Sequence, residues 1–360
     1  MSIGTDDTIL VTGGAGFVGS NLAHQLAARG HRVRVLDTLG RAGVEDNLDW
    51  LCSLHGESIE PVIADIRDQA AVARSVRGVS AVFHMAAQVA VTTSMEDPRE
   101  DLNVNIGGTF NLLEALRLER AGAPLIFAST NKVYGALADV RLFPDGSQLR
   151  PTDPELARFG VGENRPLDFH TPYGCSKGAA DQYVLDYGRS FSMPTAVLRM
   201  SCIYGERQMG TEDQGWVAHF LIRALAGEPI TLFGDGEQVR DICDVRDTCA
   251  AYIALLDRIE QVPGQAFNWG GGPDNAISLL TLMDEIAEIT GRYPRVEFAD
   301  PRPGDQRWFV ADTRRADRAL ALTRRIPWQE GVRDLVDWLQ QRVASPVTKA
   351  SAPAAARVAG

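Results

Sequence analysis

The chain has 360 residues, 45% of them hydrophobic and 23% charged, with a formal net charge of −11. This is the composition of a globular protein large enough for one large or two modest cores, and its acidic balance argues against non-specific nucleic-acid binding. Five cysteines with no Cys-x-x-Cys pair argue against a disulfide framework or a zinc ribbon, and no metal site is expected.

The first residues carry no basic stretch followed by an apolar one, and no apolar run reaches membrane-spanning length. The expectation is a cytoplasmic protein with no membrane partner. Residues 8–12 form a short β-favouring run that meets Gly13-Gly14-Ala15-Gly16-Phe17-Val18-Gly19. A helical pattern follows to Arg29, stopped by Gly30, and residues 31–36 read as a second strand ending at Asp37. Gly14-x-Gly16-x-x-Gly19 between a strand and a helix is the dinucleotide fingerprint in its required setting. Glycines let the backbone approach a pyrophosphate, and the helix start offers free N–H groups. Gly13, Gly16, Phe17, Val18 and Gly19 are therefore expected at the cofactor. Asp37 is placed to accept the adenosine ribose hydroxyls. Its charge would repel a 2′-phosphate, which favours NAD over NADP.

The alternation of strand and helix continues. Residues 59–64 read as a strand leading into Asp65 and Ile66. Asp65 is placed either to reach the adenine or, like Asp68, to cap the next helix. Residues 79–84 open into Met85-Ala86-Ala87-Gln88, where small side chains let the backbone pass close to a cofactor. Asn105 begins a helix running to about residue 120. Residues 125–128 form a strand with Ser129 and Thr130 at its C-terminal end. Ligands of open α/β sheets bind at those ends, so Asp37, Asp65, Ala87 and Thr130 are predicted to line one rim.

Residues 136–171 lose this rhythm and are rich in proline and charge. They are read as an irregular wall or lid of a substrate pocket. Tyr173-x-x-x-Lys177 follows on a helix, where residues four apart share a face. An ammonium beside a phenol is expected to favour the phenolate, giving an acid–base group near neutral pH. Thr130 is placed to hold the same substrate oxygen. Further on, residues 195–200 read as a strand, 216–225 as a helix, 230–236 as a strand and turn, and 266–270 as another short strand. Residues 278–290 read as a helix with a Ser cap, and 301–307 as a rigid loop. Arg207, Arg240 and Arg307 are candidate diphosphate clamps.

The predicted fold class is α/β: a Rossmann-type doubly wound parallel sheet with a smaller C-terminal α/β substrate lobe. Residues 1–200 are assigned to the NAD-binding domain, 201–344 mainly to the nucleotide-sugar lobe, and 345–360 to a disordered low-complexity tail.

With these motifs in order, the chain resembles the extended short-chain dehydrogenases/reductases of the nucleotide-sugar epimerase/dehydratase group. The resemblance rests on the glycine turn, His84-Met85-Ala86-Ala87, Asn105-x-x-Gly108-Thr109, Val133-Tyr134-Gly135, Tyr173-x-x-x-Lys177 and Arg240-Asp241. It implies Thr130, Tyr173 and Lys177 as the catalytic triad. It also implies a tightly held, recycled NAD contacted by Ala86, Ala87, Gln88, Asn105, Ser129, Tyr173 and Lys177. Sugar 4,6-dehydratases of the group carry Asp-Glu after the catalytic threonine. Here Asn131 and Lys132 stand there, and an amide and an ammonium cannot serve as that acid–base pair. The segments 129–135, 167–183, 213–217 and 304–307 resemble the CDP-sugar 2-epimerases more closely. That likeness implies a CDP-linked nucleotide-diphosphate sugar held by Thr130, Asn131, Lys132, Cys202, Arg207, Gln214, Arg240 and Arg307, and a homodimer or higher homo-oligomer. Rival readings are a UDP-hexose 4-epimerase with the same triad and a non-catalytic NAD-sensing protein on the same fold.

Overall fold

The apolar runs of the sequence become the strands of one sheet because both their faces are covered. A computed structural model describes residue 4 and residues 7–119, 122–302, 304–322 and 324–344. The expected tail at 345–360 lies outside them. The strands are β1 (Thr8–Thr12), β2 (Arg32–Asp37), β3 (Ile59–Ile63), β4 (Ala81–His84), β5 (Leu125–Thr130), β6 (Thr195–Met200) and β7 (Gln265–Trp269). They are all parallel, in the order β7-β6-β5-β4-β1-β2-β3. Every residue of β5 is buried. Leu22 and Leu26 of α1 (Phe17–Ala28) pack on one face of the sheet, and Leu112 and Leu116 of a helix at Gly108–Glu119 on the other. The strand order reverses between β1 and β4, and the crevice at their C-terminal ends is where such sheets bind ligands.

Three elements differ from the expectation. β7 comes from within the stretch allotted mainly to the C-terminal lobe, yet it joins the main sheet beside β6, with Phe267 and Trp269 fully buried. The segment 136–171 is partly regular: Leu142–Asp145 pairs antiparallel with Gln148–Pro151, and Pro154–Phe159 is a helix capped by Asp153. Pro144 and Pro151 sit in the two-stranded ribbon and Pro154 at the helix start, where the missing N–H is tolerated. The helix expected from Asn105 starts earlier, as α3 (Pro98–Leu102) capped by Asp97, and runs through a π turn at Asn103–Gly107.

The C-terminal lobe carries a small mixed sheet built on Val239–Asp244, with helices Trp216–Leu225, Leu279–Thr290 and Trp328–Ala344 around Leu221, Ile242, Met283 and Leu335. Ser278 caps its helix by accepting Thr281 N at 3.0 Å. Among the described residues no helix is long and apolar enough to cross a membrane.

Candidate active site

The glycine turn after β1 forms a cradle with no space for side chains. Gly13 has φ +66°, and a Cβ there would lie 2.6 Å from Ala86 N; one on Gly19 would lie 2.2 Å from Gly13 O. Gly16 precedes α1 and offers no side-chain cap, so the first amides of the helix at Phe17, Val18 and Gly19 remain for an anion. Asp37 at the end of β2 is fixed by Ala15 N at 3.1 Å and Leu39 N at 2.9 Å. These features fit a dinucleotide: orphan amides for a pyrophosphate, and a carboxylate beside them for a ribose.

Opposite the turn, Thr12 Oγ1 accepts Ala86 N at 3.3 Å and bonds His84 Nδ1 at 2.7 Å. The other ring nitrogen, Nε2, lies 2.9 Å from Thr109 Oγ1. Asn105 Oδ1 accepts Gln88 N at 2.9 Å, and its amide nitrogen donates to Gln88 O, Asp101 and Ser176. Asn105 was expected at the cofactor, but its side chain is committed to protein; it positions the 86–88 backbone. Ser129 is similar, since its hydroxyl donates to Asp181 at 2.7 Å and leaves only its backbone to face a ligand. Of the two acids after β3, Asp68 is the helix cap, accepting Ala70 N and Ala71 N. Asp65 instead takes Arg67 N at 2.8 Å and the Arg67 guanidinium, whose hydrogen bonds hold its carboxyl below the usual range. Ile66 packs under Gly108, where a Cβ would come within 2.5 Å of it.

Thr130 ends β5, accepts Lys132 N at 3.2 Å and donates to Asn131 Oδ1 at 3.3 Å. Tyr173 lies in the first turn of α4 (Thr171–Ser190), with Lys177 one turn on and 3% exposed. Lys177 Nζ lies 4.1 Å from the centre of the Phe127 ring. Burial pushes Tyr173 up to about 12, opposed by a hydrogen bond with Thr130 and assisted by the charge of Asp101. Burial also brings Lys177 down to about 7, against the pull of Asp181 and Asp101. The expected lowering of the Tyr173 phenol by Lys177 is therefore not what the protein's own groups do. Burial is the largest influence on both residues.

Next to this pair, Asn131 Nδ2 donates to Gln306 Oε1 at 3.1 Å, and Gln306 Nε2 to Gly135 O at 2.7 Å. Lys132 Nζ donates to Gly304 O and Asp305 Oδ1, both at 3.3 Å. Arg240 reaches the same Asp305 oxygen at 2.7 Å. Cys202 accepts Trp216 Nε1 at 3.4 Å, and burial raises its thiol against the fields of Arg240 and Lys132. The fold thus gathers Thr130, Asn131, Lys132, Cys202 and Arg240. Arg307 is exposed and paired with Asp235.

Two expected substrate residues are used elsewhere. The Arg207 guanidinium stacks 3.8 Å over Trp50 and faces Trp338 at 5.7 Å, bridging α2 (Val44–His55) and the last helix. In this structure its guanidinium packs on aromatic rings, and its Nε is buried without a hydrogen-bond partner. Gln214 accepts Arg41 from the loop after β2, on the Asp37 side of the cleft. Sequence reasoning passed over Asp101, Asp181 and Trp216. Asp181 lies four residues after Lys177 and Asp101 four before Asn105, the helical spacing that places each pair on one face.

Residues 9–270 match the family described as the NAD dependent epimerase/dehydratase family. The chain belongs to this family. Its cofactor is accordingly NAD, and it is an enzyme of the nucleotide-sugar epimerase class. The chain is 41% identical over 337 residues to CDP-paratose 2-epimerase of Salmonella typhi, covering 92% of this chain and 98% of that protein. It is also similar to the solved UDP-glucose 4-epimerase of Thermotoga maritima with UDP-glucose. There the TM-score is 0.80 at 29% identity, over 93% of this chain and 99% of that one. The UDP-glucose 4-epimerase of Thermus thermophilus, solved with NAD, gives a TM-score of 0.77 at 32% identity, over 92% and 99%. Within the family fold, Thr130, Tyr173 and Lys177 stand at the C-terminal rim of the sheet next to the glycine cradle.

Proposed function

We propose that this enzyme inverts C2 of a CDP-linked sugar of the CDP-paratose/CDP-tyvelose type. The observation that carries this reading is the 41% identity to CDP-paratose 2-epimerase over nearly the whole of both chains. The site chemistry supports it, because Asn131 is tied to Gln306 and Lys132 to Asp305, which leaves no acid–base pair for dehydration.

NAD would be held by the amides of the Gly13–Gly19 turn, by Asp37 at the adenosine ribose, by the 86–88 backbone and by Lys177 at the nicotinamide ribose. When bound, it supplies a hydride acceptor and donor for one sugar carbon. Tyr173 takes the proton from the C2 hydroxyl as that carbon gives up its hydride, and a 2-keto sugar nucleotide results. Thr130 holds the reacting oxygen. The ketone turns in the pocket, is reduced on its other face, and receives its proton back from Tyr173. Lys132 and Arg240 bring positive charge to the substrate end of the cleft, where a diphosphate needs it. Exposed Phe110 and Tyr183, edge to face on neighbouring helices, support a homo-oligomer.

The test is product NMR after incubation with CDP-, UDP- and GDP-linked sugars. Inversion at C2 of the CDP-sugar is expected. Inversion at C4 of a UDP-hexose with no reaction at C2 would move the enzyme to the 4-epimerases.

A further inference from the structure

Asp101 is a buried carboxylate beside the catalytic pair for which the chemistry above has no use. It lies in α3, 1% exposed, and α3 packs directly against α4. Its Oδ1 accepts Asn105 Nδ2 at 3.2 Å, while its Oδ2 is buried with no hydrogen-bond partner. Asn105 also donates to Ser176 Oγ at 2.9 Å, and Ser176 donates to Tyr173 O at 3.2 Å. A chain of polar contacts thus ties Asp101 to the turn of α4 that carries both Tyr173 and Lys177.

A buried ammonium needs a counter-charge. The candidates near Lys177 are few. Asp181, one turn further along α4, spends both oxygens on Arg199 and also receives the Ser129 hydroxyl. His84 on β4 is fully buried and kept uncharged, lowered to about 3. Lys132 and Arg240 share Asp305 on the substrate side, and Glu100, the neighbour of Asp101, turns outward to Arg67 at 2.6 Å. Unlike Asp181 and Asp305, Asp101 has no arginine or lysine hydrogen-bonded to it among the described residues, and its Oδ2 is buried without a partner.

We propose that Asp101 sets the ionisation of the Tyr173–Lys177 pair, as a positioning residue whose negative charge keeps Lys177 protonated in a buried site. The inference rests on the assignment of Tyr173 and Lys177 above. Its sign is the same for both partners: the charge of Asp101 raises the phenol of Tyr173 and raises the ammonium of Lys177. In an epimerase this arrangement makes sense, since the proton that Tyr173 takes is returned within the same turnover. No relay to solvent is needed. What the site requires is a fixed charge that holds the two ionisations in place.

The test is the pH profile of kcat for Asp101→Asn in the NAD-loaded full-length enzyme. The limbs of the profile report the ionisations of Tyr173 and Lys177 in the NAD-loaded enzyme. Removing the negative charge lowers both, so both limbs should move to lower pH, by on the order of one pH unit. Asp101→Glu should return them towards the wild-type positions. A folded, active Asp101→Asn whose limbs have not moved overturns the inference, even if its kcat has dropped. If Asp101→Asn does not fold, Asp101→Ser carries the same test, and an Asp101→Glu whose limbs have moved as far as those of the neutral variant also overturns the inference, because the charge would then not set them. The catalytic assignment is judged separately: Tyr173→Phe with near-normal turnover would remove it, whatever Asp101 does.

Discussion

Arg199 and Asp181 form a buried, two-pronged ion pair between β6 and α4. Nε and Nη2 of Arg199 donate to the two carboxylate oxygens at 2.9 Å each, and the residues are 5% and 0% exposed. Arg199 Nη1 continues to Tyr134 OH at 3.1 Å, and Tyr134 to Asn268 at 2.7 Å. The pair links the helix of Tyr173 and Lys177 to the sheet and to β7. Replacing Arg199 by Met leaves Asp181 buried without its ion-pair partner, and breaking a buried pair typically costs about 3–5 kcal/mol. Urea denaturation of Arg199→Met measures this. A loss well under 1 kcal/mol would mean that the pair does not fasten α4.

Tyr173→Phe removes the one proton carrier at the sugar oxygen and little else, since the ring still fills its site. Turnover should fall by roughly 10²–10⁴-fold, the usual contribution of a positioned acid–base group. Nucleotide released by heat from the purified variant should still be NAD in wild-type amount. Retained activity would contradict the role assigned to Tyr173.

Gly13→Ala places a methyl group against the Met85–Ala86 backbone at a positive φ. The backbone strain alone is about 1–3 kcal/mol. The protein should melt at lower temperature and purify with substoichiometric NAD. A variant with full cofactor content would show that the turn does not bind the pyrophosphate.

Much of the cofactor half was legible in the sequence. The glycine turn, Asp37 and the strand ends depend on local chain geometry, and a short motif specifies that. What escaped depends on contacts between distant segments. Arg207 looked like a phosphate clamp, but its partners are Trp50 and Trp338, which no spacing connects to it. Asn105 and Ser129 stand next to the cofactor cleft, yet their side chains turn inward to Gln88 and Asp181. β7 is too short to announce which sheet it joins. The ionisation of Tyr173 and Lys177 was read from their pairing alone, whereas burial, invisible in the sequence, pushes both towards their neutral forms.

His84 makes stability depend on pH. Burial lowers it to about 3 from an ordinary value of 6.5, with Lys177 adding to the effect. The unfolded chain therefore takes up a proton that the folded protein refuses. The contribution is fully present above pH 6.5 and is lost as pH falls from there towards 3. At about 1.4 kcal/mol per pH unit, roughly 2 kcal/mol should disappear between neutral pH and pH 5. Urea midpoints at the two pH values measure it, and His84→Gln should reduce the difference. An equal difference in that variant would assign the acid sensitivity to other groups.

Direct hydride transfer at C2 is tested most sharply by running the reaction in D₂O with the CDP-sugar and reading the inverted carbon by NMR. A hydride that leaves and returns through NAD never exchanges with solvent, so the product should be inverted at C2 and carry no deuterium there. Deuterium at the inverted carbon would mean proton abstraction from carbon, and neither NAD nor Tyr173 could then act as a hydride carrier and hydroxyl base at C2.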